Sequence, residues 1–310
     1  MNIATGKAVV IGGGNMGADI AAILAAGGWR VSVIEPNRER WPALRDRVAS
    51  SGKTLGAQSV AIGVVAGSAE LAWPDVALVI ECAPEKLDLK RAIFAELERL
   101  APADAILGSN SSSFPISAIA DGLATGARML GLHFFLPAHL VPAVEVIRGA
   151  ATDDAVWKRA AEIMRACGKV PVMVKKDIPG FLANRIQHAL MREAFALIDA
   201  GLATPEDVDN AVRYGFGFRY VAAGPILQKD FAGLDIHAAA GATMYPDLAA
   251  NKTPSPTLLK LVAEGKLGVK TGEGFWKWTP DSAKAARERY ERDLADALEI
   301  LKRSLDHGSS

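Results

Sequence analysis

The amino-acid sequence predicts an α/β protein, in which a doubly wound sheet domain precedes an all-α C-terminal domain. Short β-branched runs alternate with helical segments over the first part of the chain, as they do in parallel sheets. After residue 178 only helical periodicity continues. The 310 residues also exceed the size at which one hydrophobic core usually keeps growing. We therefore expect two domains, over residues 1–178 and 179–310.

The composition points to a small-molecule partner. The 35 basic residues balance 35 acidic ones, which favours neither nucleic acid nor an anionic membrane as partner. Cys82 and Cys167 show neither metal-ligand spacing nor a disulfide framework, so we expect no metal site and a reducing compartment. The first six residues lack the features of a signal peptide, and no apolar run reaches the roughly 18 residues of a membrane span. A cytoplasmic location is expected.

The chain opens with a predicted strand–turn–helix–strand unit. A β-branched run ends at the pattern Gly12-x-Gly14-x-x-Gly17, and a helical segment follows. Gly12 permits a tight turn, Gly14 lets a pyrophosphate approach the backbone, and Gly17 allows close packing of helix on strand. Asn15 and Met16 begin the helix, whose free N–H groups and dipole favour phosphate binding. This context predicts a Rossmann-type dinucleotide site.

Glu35 closes the second predicted strand. There it can accept hydrogen bonds from the adenosine ribose and repel a 2′-phosphate, which favours NAD over NADP as cofactor. The alternative is a glycine turn of some other α/β protein, with Glu35 as a solvated charge. Arg38, three residues later, also leaves NADP open.

Two further predicted strands end next to residues that would border a ligand. Cys82 and Ala83 follow one strand, and Asn110 and Ser112 follow the next. Ligands of doubly wound sheets bind at such carboxyl ends, so these residues are expected to border the cofactor and its substrate. The alternative for Asn110 and the serines is a turn or helix-capping role.

A histidine and a glutamate occupy two successive apolar runs. His133 closes the first run and Glu145 lies inside the second, with Pro137 and Pro142 interrupting regular structure between them. An imidazole held by a carboxylate is a general base with a fixed tautomer. Taken alone, His133 would more often be a buried histidine of the core. The combination with Glu145 and the preceding serine cluster favours catalysis.

The remainder of the chain is predicted to be mostly helical. A helix is expected over residues 181–200, and another after an N-cap at Thr204. Residues 215–220 are expected to form a loop, and residues 281–305 an amphipathic terminal helix. Residues 306–310 are expected to be disordered.

The sequence resembles the 3-hydroxyacyl-CoA dehydrogenase family over nearly its whole length. Several separated motifs carry the likeness: the glycine fingerprint, Ser-Asn-Ser-Ser-Ser from Ser109, His-Phe-Phe-x-Pro from His133, Val-Glu-Val-Ile around Glu145, Asp-Ile-Pro-Gly-Phe from Asp177 with Asn184-Arg185, and Lys-Thr-Gly-Glu-Gly-Phe from Lys270. The resemblance implies a Rossmann domain, a helical domain that forms a homodimer, and NAD as cofactor.

The resemblance also implies roles for four residues. His133 matches the base that takes the substrate hydroxyl proton while hydride passes to NAD, and Glu145 matches the carboxylate paired with it. Ser112 matches the serine that hydrogen-bonds the reacting oxygen. Asn184 matches the asparagine that completes the site.

Three departures from the acyl-CoA members of the family concern the substrate. Leu136 replaces their usual asparagine, and residues 138–142 differ from their usual sequence. The interval from Glu35 to Glu81 leaves little room for the helical insertion on which those members dock CoA. Finally, the segment around Arg219 looks more like relatives that act on free hydroxy acids, such as gulonate, carnitine and pyridine-carboxylate dehydrogenases. Arg219 could hold a substrate carboxylate, or it could be a solvated charge.

We therefore expect an NAD-dependent dehydrogenase that converts the secondary alcohol of a 3-hydroxy-acid-type substrate to a ketone, with a free acid favoured. One alternative is an enzyme for the CoA thioester, namely a 3-hydroxybutyryl-CoA dehydrogenase. The other is a dinucleotide-binding structural or sensor protein without turnover. The joint presence of the four catalytic candidates argues against the last.

Overall fold

The structure is a computed structural model that describes residues 5–306 of the chain. It divides into two compact units, the first extending to Ala183 and the second beginning at Asn184. The expectations for the extreme ends, a start without a signal peptide and a disordered tail, depend mainly on residues outside the described range. Among residues 5–306, no helix is both long enough and apolar enough to cross a membrane.

The first unit contains an eight-stranded sheet with the strand order β3-β2-β1-β4-β5-β6-β7-β8. Strands β1 to β6 are parallel, β7 is antiparallel to β6, and β8 is parallel to β7. The order of the first six strands is that of a doubly wound dinucleotide-binding sheet. The strands are β1 Lys7–Ile11, β2 Arg30–Ile34, β3 Ile62–Val65, β4 Val76–Glu81, β5 Ile106–Ser109, β6 Met129–Phe134, β7 Ala143–Arg148 and β8 Val170–Val174.

Helices cover both faces of this sheet. Val9 and Val10, which are adjacent on β1, are both fully buried and belong to two different hydrophobic clusters. Side chains alternate across a strand, so each face of the sheet has its own core. The helices of this unit are α1 Asn15–Ala26, α2 Trp41–Thr54, α3 Leu87–Leu100, α4 Ile116–Ile119 and α5 Asp154–Ala166. This architecture is the Rossmann-type sheet domain that the sequence predicts.

The second unit is helical, as predicted. Thr204 forms a capping box with Asp207 at the start of one of its helices. The first helix, which starts at the end of the first unit, begins two residues later than the sequence suggests. The helices are α6 Ala183–Asp199, α7 Pro205–Asn210, α8 Pro225–Ala232, α9 Leu234–Met244, α10 Pro256–Ala263 and α11 Pro280–Asp306.

The predicted loop over residues 215–220 is wrong. The chain instead forms a π-helical segment, Ala211–Phe216, that continues into a 3₁₀ segment, Gly217–Val221. The N–H of Gly217 donates to the carbonyl of Val212, five residues earlier. A Cβ on Gly217 would lie 2.7 Å from that carbonyl oxygen, so glycine permits the widened turn. Gly217 is therefore required by close packing within an irregular helix, whereas Gly215 has open space around it.

Candidate active site

The glycine fingerprint forms a tight turn between β1 and α1. Gly12 has a φ of +105°, which L-residues with a side chain rarely adopt. A Cβ on Gly17 would lie only 1.8 Å from the carbonyl oxygen of Gly12, so helix and strand could not pack as closely with any other residue there. Gly14 differs, since the nearest atom to a Cβ at that position would be 4.0 Å away. The backbone at Gly14 is thus open to an approaching group.

The start of α1 offers unpaired N–H donors beside this opening. Gly14 is the N-cap residue, no side chain caps the helix, and its first turn has no acidic residue. Asn15 is exposed and Met16 is half-buried. A helix terminus of this kind, next to a glycine-lined opening, fits the diphosphate of a dinucleotide.

Glu35 lies just beyond β2 and is connected to the glycine turn. Its Oε2 accepts a hydrogen bond from the N–H of Gly13 at 3.1 Å, and its Oε1 accepts one from the N–H of Asn37 at 3.0 Å. Arg40 places Nη1 3.5 Å from Oε2. The carboxylate is 5% exposed. Glu35 therefore lies at the position from which a ribose hydroxyl of the cofactor could be bound.

Cys82 and Ala83 follow β4 at the same edge of the sheet. The N–H of Cys82 donates to Ile11 at 2.7 Å, which continues the pairing of β4 with β1. The N–H of Ala83 donates to Oε1 of Glu81 at 2.6 Å. Burial raises the pKa of the Cys82 thiol, so the thiolate needed for nucleophilic chemistry is disfavoured. Both residues therefore present only backbone groups and small side chains at this edge of the sheet.

A buried ion pair supports the loops that follow β4 and β5. Lys90 on α3 donates to Glu81 at 2.8 and 3.0 Å, and both side chains are buried. Glu81 also accepts from the hydroxyl of Ser109 at 2.7 Å, whereas Glu85 accepts from the hydroxyl of Ser111 at 2.5 Å. Complete pairing of this kind is what makes buried charges tolerable. The network holds the two loops that would face a ligand.

Asn110 and Ser112 occupy different environments within the second of these loops. The Oδ1 of Asn110 accepts a hydrogen bond from the N–H of Phe134 at 2.9 Å, which attaches this loop to the residue after His133. Ser112 is exposed, three residues beyond the end of β5, and its hydroxyl has no hydrogen-bond partner among the described residues. Asn110 thus bonds the backbone of β6 rather than a turn or a helix N-terminus, while the Ser112 hydroxyl is available to a ligand.

The structure brings His133 and Glu145 together. They are directly paired across β6 and β7, and Nδ1 of His133 lies 2.8 Å from Oε2 of Glu145. Both side chains are buried. A carboxylate can only accept, so Nδ1 carries the proton and Nε2 is left as the basic nitrogen. The imidazole also packs against aromatic rings, with centroids 4.7 Å from Phe135 and 5.6 Å from Phe181.

The second oxygen of Glu145 binds the backbone that leads into α6. Its Oε1 accepts from the N–H groups of Leu182 and Ala183 at 3.0 and 2.7 Å. Phe181, just before them, has a φ of +49° and is buried. Burial opposes ionisation of Glu145, but the His133 hydrogen bond and these two amides outweigh it and hold the pKa of Glu145 below its usual range. Glu145 thus stays anionic beside the imidazole.

A second buried polar cluster holds the segment after His133, residues 136–142. Lys169 donates to the carbonyls of Ala138 and Val141 at 2.6 and 2.9 Å. Asp19, on α1, accepts from the N–H of Ala138 at 3.2 Å. The Nδ1 of His139 lies 3.1 Å from Asp19 but does not form a hydrogen bond of good geometry with it. The departures from the acyl-CoA pattern therefore lie on a fixed segment.

Two predicted residues belong to the second unit. Asn184 is the second residue of α6 and is half-buried. Arg219 lies in the 3₁₀ segment and is exposed. Among residues 5–306, no group of three or more histidine, cysteine or acidic side chains is arranged to hold a metal.

Three residues of this region were not predicted from the sequence, namely Asp19, Lys169 and Phe181. A signal existed for Asp19, since it is a charge inside the otherwise apolar run of α1 and therefore requires buried partners. Phe181 follows Pro179-Gly180, a pattern that indicates a turn. Nothing in the local sequence distinguishes Lys169 from an ordinary surface lysine.

Comparison with known proteins gives matches along nearly the whole chain. The family model described as "3-hydroxyacyl-CoA dehydrogenase, NAD binding domain" matches residues 7–178. The model described as "3-hydroxyacyl-CoA dehydrogenase, C-terminal domain" matches residues 180–278. Together they cover both units of the structure.

Two of the matching relatives differ in the kind of substrate that their names give. The 5-formyl-3-hydroxy-2-methylpyridine 4-carboxylate 5-dehydrogenase of Mesorhizobium japonicum is 33% identical over 94% of this chain and 97% of its own. A 3-hydroxybutyryl-CoA dehydrogenase of Mycobacterium tuberculosis is 35% identical over 90% of this chain and 100% of its own.

Solved structures of both kinds of enzyme also match this chain. A crystal structure of the 5-dehydrogenase of the formyl-hydroxy-methylpyridine carboxylic acid, described as an NAD+-dependent dismutase, has a TM-score of 0.91 at 31% identity and covers 96% of this chain and 99% of its own. The (S)-3-hydroxybutyryl-CoA dehydrogenase of Ralstonia eutropha has a TM-score of 0.72 at 30% identity, covering 89% and 100%. The chain therefore belongs to the 3-hydroxyacyl-CoA dehydrogenase family and is an NAD-dependent oxidoreductase that acts on CH–OH groups.

Proposed function

We propose that this dehydrogenase oxidises the secondary alcohol of a free 3-hydroxy-acid-type substrate to a ketone, with His133 as the base. The observation that carries the free-acid assignment is the short connection between β2 and β3. It contains one 3₁₀ turn, Arg38–Arg40, and one helix, α2, after which residues 55–61 lead directly into β3. There is no second helix in this connection on which a CoA group could dock.

The likeness to a pyridine-carboxylate enzyme supports the same assignment. The name of the Mesorhizobium relative gives a free ring carboxylate as its substrate, without a thioester. The structure of that type of enzyme also agrees with this chain more closely, at a TM-score of 0.91, than the Ralstonia 3-hydroxybutyryl-CoA enzyme does, at 0.72. Both differences favour a substrate that needs no CoA-docking insertion.

In the proposed reaction, Nε2 of His133 takes the proton from the substrate hydroxyl. Glu145 fixes the tautomer through Nδ1 and stabilises the imidazolium that forms, because its carboxylate remains charged. When bound, NAD supplies the hydride acceptor. Phe135 and Phe181 keep water away from the imidazole, which strengthens its electrostatic interaction with Glu145.

The other polar residues have proposed roles that substitution can test. The hydroxyl of Ser112, which is exposed at the carboxyl edge of the sheet, is proposed to hydrogen-bond the reacting oxygen. The roles of Asn184 in catalysis and of Arg219 in binding a carboxylate stay predictions from the sequence. The fingerprint glycines, Asn15, Met16, Glu35, Cys82, Ala83 and Asn110 are proposed to line the cofactor site.

A substrate panel tests the proposal. NADH formation would be measured at 340 nm with gulonate, carnitine, 3-hydroxybutyrate and 3-hydroxybutyryl-CoA, together with 5-formyl-3-hydroxy-2-methylpyridine 4-carboxylate. We expect saturable activity with at least one of the three free hydroxy acids, gulonate, carnitine and 3-hydroxybutyrate. Activity on the formyl compound alone would contradict the proposed reaction, because that compound has no secondary alcohol. Saturable activity on the thioester alone would overturn the free-acid assignment and support the second candidate, a 3-hydroxyacyl-CoA dehydrogenase. That candidate has support from relatives such as the 35% identical Mycobacterium enzyme.

We also propose that the protein is a homodimer that uses its helical second unit. This unit exposes large apolar side chains, among them Ile226 at 76% and Phe231 at 74% exposed. Exposed apolar residues in such number are typical of an interface. Light scattering coupled to gel filtration should give twice the mass of 32.7 kDa. A monomeric mass at micromolar concentration would contradict the proposal.

A cytoplasmic location completes the proposal. Cys82 and Cys167 are free thiols, and burial raises the pKa of both, that of Cys167 to about 11. Thiols kept in this form suit a reducing compartment. Cell fractionation followed by immunodetection would test this location.

A further inference from the structure

Arg40 lies above the opening of the glycine turn. It ends the 3₁₀ turn that follows β2, and Asn37 shapes this turn by accepting a hydrogen bond from the N–H of Glu39 at 3.0 Å. The turn directs Arg40 back toward α1. Its Nη2 lies 4.0 Å from the point where a Cβ on Gly14 would be, and it is the nearest atom to that point.

The same guanidinium also reaches Glu35. Nη1 of Arg40 lies 3.5 Å from Oε2 of Glu35, while the Arg40 side chain remains 55% exposed. Arg40 therefore extends from the proposed ribose-binding carboxylate to the glycine at which a diphosphate would approach. Because the Arg40 side chain is exposed, Nη2 can meet a ligand while Nη1 stays beside Glu35.

The neighbouring arginines are held elsewhere. Arg38 pairs with Glu70 at 3.1 Å and lies over the ring of Trp41. Arg47 is bound through two nitrogens to Asp19, at 2.8 and 2.9 Å. Arg45 lies over the ring of Trp41, 5.7 Å from its centroid. Arg40 is thus the arginine of this segment that faces the glycine turn.

We infer that Arg40 is a cofactor-binding residue that grips the diphosphate of the dinucleotide. A diphosphate carries two negative charges, whereas the start of α1 supplies only about half of a positive charge. A guanidinium adds a full charge and can donate two parallel hydrogen bonds to phosphate oxygens. It also offsets the charge of Glu35, which would otherwise repel the nearby diphosphate. This inference rests on the proposed seating of NAD along Gly12 to Gly17.

Binding of cofactor fragments, measured by titration calorimetry without turnover, tests the inference. The fragments are adenosine, AMP and ADP-ribose, which differ in phosphate content, and 2′,5′-ADP, which carries the additional phosphate of NADP. The variants are Arg40→Gln, Arg40→Lys and, as a matched control, Arg38→Gln. We expect Arg40→Gln to weaken ADP-ribose by about 10- to 100-fold, the range of charge-assisted hydrogen bonds, and to leave adenosine unchanged. Arg40→Lys should recover part of this loss, and Arg38→Gln should bind adenosine, AMP and ADP-ribose like the wild type.

Three results would overturn the inference. Arg40→Gln could bind ADP-ribose as tightly as the wild type, or it could lose as much affinity for adenosine as for ADP-ribose. In the third, the wild type binds 2′,5′-ADP most tightly of all fragments, and Arg40→Gln loses that affinity. Thermal unfolding of each variant distinguishes a lost contact from a lost fold. If the wild type does not bind ADP-ribose at all, the proposed cofactor site itself is contradicted. If the wild type and Arg40→Gln bind ADP-ribose equally well, only the role of Arg40 is contradicted.

Discussion

Nδ1 of His133 lies 2.8 Å from Oε2 of Glu145, and the two residues face each other across the antiparallel strands β6 and β7. Directly opposite positions in a sheet keep a fixed separation, so the imidazole has little freedom to leave the carboxylate. Because Oε1 of Glu145 is engaged by two backbone amides, the carboxylate itself cannot rotate away without breaking them. The base is therefore oriented before any substrate binds.

His133→Ala should slow turnover by about 100-fold or more while leaving NAD binding unchanged. The imidazole is the proposed proton acceptor, whereas the glycine turn that would hold the cofactor belongs to a different part of the sheet. Steady-state kinetics would measure kcat, and titration calorimetry would measure NAD affinity. His237→Ala, a change in the second unit, serves as the control and should retain activity. Unaltered kcat in His133→Ala would remove this residue from the mechanism.

Glu145→Gln should make protein stability less dependent on acid pH. The pKa of Glu145 is lower in the folded protein than in the unfolded chain, so the carboxylate stabilises the fold above its unfolded value of about 4.3. That contribution is lost as pH falls through the folded pKa. The stability advantage of wild type over Glu145→Gln, measured by urea unfolding at pH 7 and pH 4, should therefore shrink at pH 4.

An exposed glutamate provides the control for this experiment. Glu288, on α11, has only a long contact of 4.0 Å to Lys284. Glu288→Gln should change the urea midpoint little at either pH. If wild type and Glu145→Gln differ in unfolding free energy by the same amount at both pH values, the Glu145 carboxylate does not stabilise the fold through its charge.

Much of the first unit could be predicted because its signals are local. The strands are short β-branched runs, and the glycine spacing between β1 and α1 reflects contacts within a single turn, such as Gly17 against Gly12. Asp19 could not be placed, because its partner Ala138 lies 119 positions away in the chain. The positive φ of Phe181 could not be predicted for a related reason. It helps to direct the N–H groups of Leu182 and Ala183 at Glu145, which lies 37 and 38 positions earlier in the chain.

Gly17→Ala should impair folding, whereas Gly14→Ala should impair only cofactor binding. A methyl group at Gly17 would overlap the carbonyl of Gly12, so this variant should be strongly destabilised or fail to fold. A methyl group at Gly14 meets no atom closer than 4.0 Å, and the φ of −69° suits alanine, so this variant should fold normally. It should nevertheless bind NAD roughly 10-fold more weakly, because the methyl group occupies the space into which the diphosphate approaches.

Thermal unfolding and calorimetric titration with NAD would measure both effects. Each variant serves as the control for the other, since the chemical change is identical. Normal folding of Gly17→Ala would contradict the packing argument. Unchanged NAD affinity in Gly14→Ala would mean that the cofactor does not pass over this turn.

Lys169→Met should destabilise the protein by about 2 kcal/mol at pH 7, because the carbonyls of Ala138 and Val141 would lose a buried donor. Burial lowers the pKa of Lys169 from 10.5 to about 8, so the folded protein releases its proton before the unfolded chain does. Wild-type stability therefore gains from deprotonation as pH rises above 8, and its advantage over Lys169→Met should widen toward pH 10. Urea unfolding across this pH range measures the difference in unfolding free energy between wild type and Lys169→Met.

The control is Lys158→Met, at an exposed lysine that pairs with Asp154. Its unfolding free energy should stay within about 0.5 kcal/mol of wild type at pH 7. If the difference in unfolding free energy between wild type and Lys169→Met becomes smaller as pH rises, Lys169 is not a buried charge at neutral pH.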